Sequence, residues 1–178
     1  PNTCGSGAAG LHGLNSEITL INSTITGNQG INGDGSPSGF RANNYYYDNQ
    51  DYDTKTIIFN TIIAGNTPNS YQTDFDNSAT DYFALENSIF ENSTAEDWFD
   101  PDDGHYDLNP QFADTTYVLS EFSHAIGLGG ASIEDDDEND LLAPSADLLG
   151  NPRPNPAGSN PDLGAYEHVL SDYRRAVY

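Results

Sequence analysis

Three segments of this chain align without gaps: Leu20-Ile-Asn-Ser-Thr-Ile-Thr-Gly-Asn28, Ile58-Phe-Asn-Thr-Ile-Ile-Ala-Gly-Asn66 and Leu85-Glu-Asn-Ser-Ile-Phe-Glu-Asn-Ser93. Each reads apolar, any, Asn, Ser/Thr, any, Ile/Phe, any, Gly/Asn, Asn/Ser. A chain that repeats residue identity at matching positions folds into units that stack on one another. The anchors Asn22, Asn60 and Asn87 lie 38 and 27 residues apart. Gly10-Leu11-His12 and Gly39-Phe40-Arg41 precede the first two repeats and lie 29 apart. The second unit therefore carries about nine extra residues near Asn43 to Asp53, and the underlying period is 27 to 29.

A period of that length suits a solenoid of short strands. Glu17 to Ile21 and Thr54 to Ile58 alternate or run apolar and are rich in β-branched residues. Helical periodicity is absent, and 17 Gly with 10 Pro interrupt the chain too often for long helices. The repeated Asn falls at a strand end, where stacked amides can bond to their equivalents above and below. A β-sandwich with coincidental Asn-Ser turns is the weaker alternative, because sandwich strands do not repeat identity in this way. Asn22-Ser-Thr24 and Asn92-Ser-Thr94 also fit a glycosylation sequon, but in this setting read as turn residues.

The charge balance narrows the partners. With 28 acidic and 5 basic residues, the net charge is −23. Such a surface repels nucleic acid and anionic lipid, and it favours calcium, which prefers carboxylate and carbonyl oxygens. The 11 Tyr and 8 Phe supply enough apolar matter for a core. Cys4 is the only cysteine, so no disulfide forms within the chain and no Cys-based zinc site exists. The absence of Met and the start at Pro1 read as a processed form or a fragment. No stretch reaches the roughly 18 apolar residues of a membrane span, and no signal peptide is visible.

Longer motifs bring a family into view. The stretch from Ala8 to Asn28 resembles a coil of bacterial right-handed parallel β-helix proteins of the pectin-lyase-like kind. Asn109-Pro-Gln-Phe-Ala-Asp114, Tyr117-Val-Leu-Ser120 and Ser123-His-Ala-Ile-Gly127 resemble a closing coil of that family. Asp147-Leu-Leu-Gly-Asn-Pro-Arg-Pro154 with Pro161-Asp-Leu-Gly-Ala-Tyr-Glu167 resembles the terminal segment of choice-of-anchor Q domains. The family often has Pro and Asp in the closing coil where this chain has His124 and Gly127. The resemblance implies an all-β, right-handed parallel β-helix from a secreted or cell-surface bacterial protein, often followed by an anchoring or sorting element. It implies no single activity, since the fold serves lyases, hydrolases and adhesins alike.

The expected layout is coils over 1–127 with the inserted loop at about 43–53. An acidic loop and Pro-rich cap follow over 128–168, and a tail over 169–178. The cap is expected to close the open end of the solenoid. Pro152, Pro154, Pro156 and Pro161 stop further pairing. Arg153 is expected to pair with the nearby acids, Asp162 or Glu167.

Two clusters of acids invite a metal. Asp100, Asp102, Asp103 and Asp107 surround a Gly turn that partly matches a calcium loop, though no Glu follows at the EF-hand spacing. Asp135, Asp136, Asp137, Glu138 and Asp140 are denser still. Each is either a calcium site or a solvated acidic loop. In the inserted loop, Tyr45, Tyr46, Tyr47 and Tyr52 alternate with Asp48, Asn49 and Asp51. Tyr rings stack on sugar faces while amides and acids bond hydroxyls, so this loop is the candidate glycan-binding surface. Catalysis has less support. Lys55 and Arg41 form the only candidate lyase pair, and His12, His105, His124 and His168 show no metal spacing. The sequence thus points to a non-catalytic module for adhesion or glycan contact. The alternatives are the C-terminal part of a polysaccharide lyase or glycoside hydrolase whose active site lies on missing N-terminal coils, or a structural spacer or anchor.

Overall fold

The computed structural model describes residues 3–4, 10–30, 38–43, 55–67, 71–74, 82–91 and 105–174. Among these residues the protein is all-β, with no helix. Three parallel sheets are built in the same way. One contains β2 (Leu11–Leu14), β6 (Phe40–Asn43) and β9 (Tyr71–Asp74). A second contains β3 (Glu17–Ile21), β7 (Lys55–Phe59) and β10 (Tyr82–Glu86). The third contains β4 (Thr24–Thr26), β8 (Ile62–Ala64), β11 (Ser88–Phe90) and β12 (His105–Tyr106). Three successive stretches of chain thus place one strand in each sheet. A smaller pair joins β1 (Thr3–Cys4) to β5 (Gln29–Gly30), again in parallel.

The pairing register follows the sequence repeat. Thr19 pairs with Ile57 and Ala84 with Ile57, so repeat positions meet across the sheets. Two residues separate β2 from β3, whereas eleven separate β6 from β7. The extra length of the second repeat therefore falls between two strands that are each held in register.

The anchors Asn22, Asn60 and Asn87 adopt φ of 44°, 51° and 45° at the corners between the second and third sheets. Asn tolerates this left-handed conformation better than other residues with a side chain, because its short amide bonds locally. That backbone demand is a reason for the repeated Asn that stacking alone does not supply.

Apolar residues lie on both faces of the central strands. Inward, Phe40, Ala42, Ile58, Ile63, Leu85 and Phe90 form the core between the sheets. Outward, Ile57 and Phe59 pack on Ile133 and Leu141. Outward from the third sheet, Ile62, Ala64 and Ile89 pack on Leu119, Ala125, Ile126 and Leu163. Burying each large side chain contributes about 1.5–3 kcal/mol. The C-terminal stretch thus runs along the flanks of two sheets. The apolar outer faces of β7 and β8 explain that place, since a parallel sheet is stable when both its faces are covered.

Within that stretch, β13 (Ser132–Glu134) and β14 (Asp140–Leu142) form an antiparallel hairpin. A second, shorter hairpin is marked by the bridge between Ala146 and Pro152.

Candidate functional site

The corner residues build ladders of side chains across successive strands. The Ser23 N–H donates to Thr61 Oγ1 at 3.3 Å, and the Thr61 N–H donates to Ser88 Oγ at 3.1 Å. Each hydroxyl in turn donates to the carbonyl two residues earlier, at Ile21, Phe59 and Glu86. A second ladder runs through Asn28, whose backbone N–H and Nδ2 both donate to Asn66 Oδ1. The expected anchor ladder appears once, as Asn60 Nδ2 donating to Asn22 Oδ1 at 3.2 Å.

The C-terminal stretch docks onto these corners. Asn60 exchanges two bonds with Gly130, and the Gly164 N–H donates to Asn60 O. Asn22 Nδ2 donates to Asp162 O, and the Ala165 N–H donates to Thr24 Oγ1. A polar centre lies behind this seam. Arg153 Nε donates to Glu167 Oε2 at 2.8 Å, and its Nη2 donates to Gly164 O at 3.0 Å. Glu167 also accepts the N–H groups of Asn155 and Asp162. The Asp162 side chain accepts the N–H groups of Gly127 and His168. Burial pushes the Asp162 carboxyl up to about 7, against the pull of those two N–H donors. Of the two acids named for Arg153, Glu167 makes the ion pair.

The same turn is built twice. Asp135 Oδ1 accepts the N–H groups of Asp137 and Asn139, and Asp147 Oδ1 accepts those of Leu149 and Asn151. Both loops close with a backbone bond from the Asp N–H to the Asn carbonyl. Glu138 and Gly150 hold the matching positive-φ position. The backbone N–H of Asn139 holds the Asp135 carboxyl below its ordinary range. Burial works to raise the Asp147 carboxyl, but bonds from Asn151, Glu167 and Leu149 outweigh it and hold it low. The spacing Asp-x-x-x-Asn is visible in the sequence at both places and is the signal that acid counting missed.

The acidic loop also meets the one lysine. Asp135, Asp136 and Asp137 bring their carboxylate oxygens within 4.8 Å of one another. Lys55 Nζ bonds Asp136 and lies 3.6 Å from Asp135, which raises its pKa. It also lies 5.7 Å from the centre of the Tyr82 ring. Lys55, half of the weakly supported candidate lyase pair, is thus engaged with acids. Glu138 and Asp140 are exposed and fall outside that group of three. Asp107 is exposed beside β12. Asp100, Asp102 and Asp103 lie outside the described residues, as do Tyr45, Tyr46, Tyr47, Asp48, Asn49, Asp51 and Tyr52.

A groove of about 660 Å³ opens where β3 and β4 form the outer edges of their sheets. Leu11, Leu20, Asn22, Ile25 and Asn28 line one side, and Leu148 lies on the other. No helix among the described residues is long and apolar enough to cross a membrane. Comparison with protein-family models, with curated proteins and with solved structures gives no match.

Proposed function

We propose that this chain is a right-handed parallel β-helix module of a secreted or cell-surface protein, and that it contacts glycans without acting on them. The observation that carries the reading is the position of the 44–54 segment. β6 ends at Asn43 in register with β2 and β7 begins at Lys55 in register with β3, so pairing holds on either side of the eleven intervening residues. On a solenoid, insertions of this kind project from one face and line a binding surface. The repeated strand order across three sheets supports the β-helix, and right-handed crossovers are the rule between parallel strands. A segment with four Tyr among amides and acids has the chemistry of sugar stacking and hydroxyl bonding.

A glycan panel tests this. The native chain is expected to retain polysaccharide or surface glycan, and a Tyr45→Ser, Tyr46→Ser, Tyr47→Ser variant is expected to lose it with unchanged far-UV circular dichroism. Retention that survives the triple substitution would sink the reading, as would a native chain that retains no glycan.

A further inference from the structure

We propose that a small cavity between the base of the β13–β14 hairpin and the Pro-rich stretch 154–161 binds one neutral pyranose ring, the terminal residue of a glycan. The ligand class rests on the glycan reading above, while the site is built from residues other than 44–54.

Size sets the first limit. The cavity measures about 170 Å³. At roughly 30 Å³ per water it has room for about six. Drug-sized ligands take about 300–1,000 Å³, so one ring fills this cavity and a second must lie outside it. Ala131, Ala143, Pro144, Pro154 and Pro161 supply apolar walls. Those walls are held in place. The Ala143 N–H donates to Ala131 O, and the Gly129 N–H donates to Pro161 O at 2.8 Å. The proline rings fix their own backbone. A preformed site loses little to ordering when a ligand enters.

Three polar side chains complete the lining: Arg153, Ser159 and Asn160. Arg153 spends Nε on Glu167 and Nη2 on Gly164 O. Its Nη1 bonds no described residue, although only 1% of the side chain is exposed, and that nitrogen is not sealed from solvent. A buried guanidinium carries five donors and ordinarily finds partners for them. Asn160 donates Nδ2 to Gly127 O at 3.3 Å and keeps Oδ1 as an acceptor. Ser159 Oγ donates to Pro156 O at 2.8 Å and keeps its lone pairs. An unspent buried donor and two acceptors among apolar walls match a sugar ring. Its C–H faces are apolar, and its hydroxyls both donate and accept.

Charge decides between sugars. The arginine charge is already met by Glu167 at 2.8 Å. An acidic ligand finds no free cation here and meets the field of a chain with net charge −23. A neutral sugar is therefore preferred to a uronate.

Arg153 and Pro144 also line the groove along β3 and β4, so they form the partition between the two spaces. Ser159 and Asn160 line the cavity and not the groove. The ring is assigned to the side that holds them.

The test is a nitrogen-15 NMR titration of the full chain with the methyl glycosides of glucose, galactose and mannose. At least one is expected to shift the Arg153 Nε–H and the Ala131 and Asn160 amides saturably at millimolar concentration. The amides of Thr24 and Leu148, in the groove, should stay in place, and galacturonate should shift the cavity signals less. Asn160→Ala is expected to weaken binding several-fold. Ala131→Trp, which fills the cavity from an exposed position, should abolish it, and both variants should keep the native thermal midpoint. No shift with any of the three glycosides overturns the site. So do shifts confined to Thr24 and Leu148, tighter binding of galacturonate, or binding that survives both substitutions. An oligosaccharide ending in the bound sugar should give the same shifts; a response to the methyl glycoside alone overturns the terminal-residue assignment. The glycan reading is scored separately. Absent cavity shifts in a chain that still retains polysaccharide overturn the cavity alone, whereas cavity shifts in a chain that retains no polysaccharide overturn the loop reading alone.

Discussion

Arg153 donates from Nε to Glu167 Oε2 at 2.8 Å, with 1% of the arginine side chain and none of the glutamate exposed. Each charge is satisfied by the other and by neighbouring backbone: Glu167 takes two N–H groups and Arg153 one carbonyl. Removing one partner strands a buried charge, which costs about 3–5 kcal/mol, while removing both can be nearly neutral. Arg153→Met and Glu167→Leu are each expected to lower the thermal midpoint sharply. The double variant should be more stable than either single one. Thermal unfolding of the three variants checks this, and an unchanged midpoint for Arg153→Met would show that the pair carries no stability.

Asp162 sits beside that pair and gives stability a pH dependence. Its folded pKa is raised by burial to about 7, above the ordinary carboxylate value of 3.8. The folded state then binds a proton more tightly than the unfolded chain does. The contribution is fully present below about pH 4 and is lost as pH rises through 7. His168 works in the opposite sense. Burial lowers its pKa below 6.5, so its contribution is lost as pH falls through that lowered value. In a His168→Gln background, denaturant midpoints are therefore expected to fall from pH 5 to pH 8. A further Asp162→Asn substitution should flatten that slope. A flat profile with Asp162 intact would show that its two N–H donors keep it ionised throughout.

Much of this fold is legible in the repeat. Identity at Asn22, Asn60 and Asn87 gives the corner, and the apolar positions around them give the strands that pair. The inserted length is legible too, because Gly10 and Gly39 keep the shorter spacing while the Asn anchors do not. The C-terminal stretch is harder to read. Its apolar residues, such as Leu119, Ile126 and Leu163, have no period and lie far along the chain from the strands they cover. Their place depends on which outer faces need covering, and no local pattern carries that. The acidic run is only partly legible for a related reason. Asp135 is spent on a turn and Asp136 on Lys55, and the partner in the second case is 81 residues away.

The corner Asn can be divided into its backbone and side-chain parts. Asn87 holds φ of 45°. Gly reaches this region freely, whereas another L-residue is strained there by about 1–2 kcal/mol. Asn87→Ala is expected to destabilise more than Asn87→Gly by about 1 kcal/mol in urea unfolding. Equal effects of the two substitutions would show that the amide, and not the backbone angle, keeps Asn at the corner.

The hydroxyl ladder makes a separate prediction. Ser88 Oγ accepts the N–H of Thr61, a residue with no exposed surface. Ser88→Ala removes that acceptor and leaves a buried donor, a loss of about 1–3 kcal/mol. Ser88→Thr keeps the hydroxyl and should retain most of the stability, as Thr61 does at the equivalent place one repeat earlier. A lowered urea midpoint in Ser88→Ala that Ser88→Thr does not share is the expected result. Equal loss in both would trace the effect to packing.

Lys55 decides how the acidic loop responds to calcium. Its ammonium already lies on Asp136 and near Asp135, so an incoming cation must displace it. The groups are at the surface, and their interaction weakens as salt screens it. Calcium prefers several carboxylate oxygens at once, and Asp135, Asp136 and Asp137 converge closely enough to offer them. Lys55→Gln is therefore expected to raise calcium affinity several-fold over the native chain in calorimetric titration, with the gain shrinking as sodium chloride is added. A further Asp136→Asn substitution should abolish the gain. If native and Lys55→Gln proteins give the same trace at millimolar calcium, the three aspartates are a solvated turn held by Asn139 and Lys55, and the loop takes no metal.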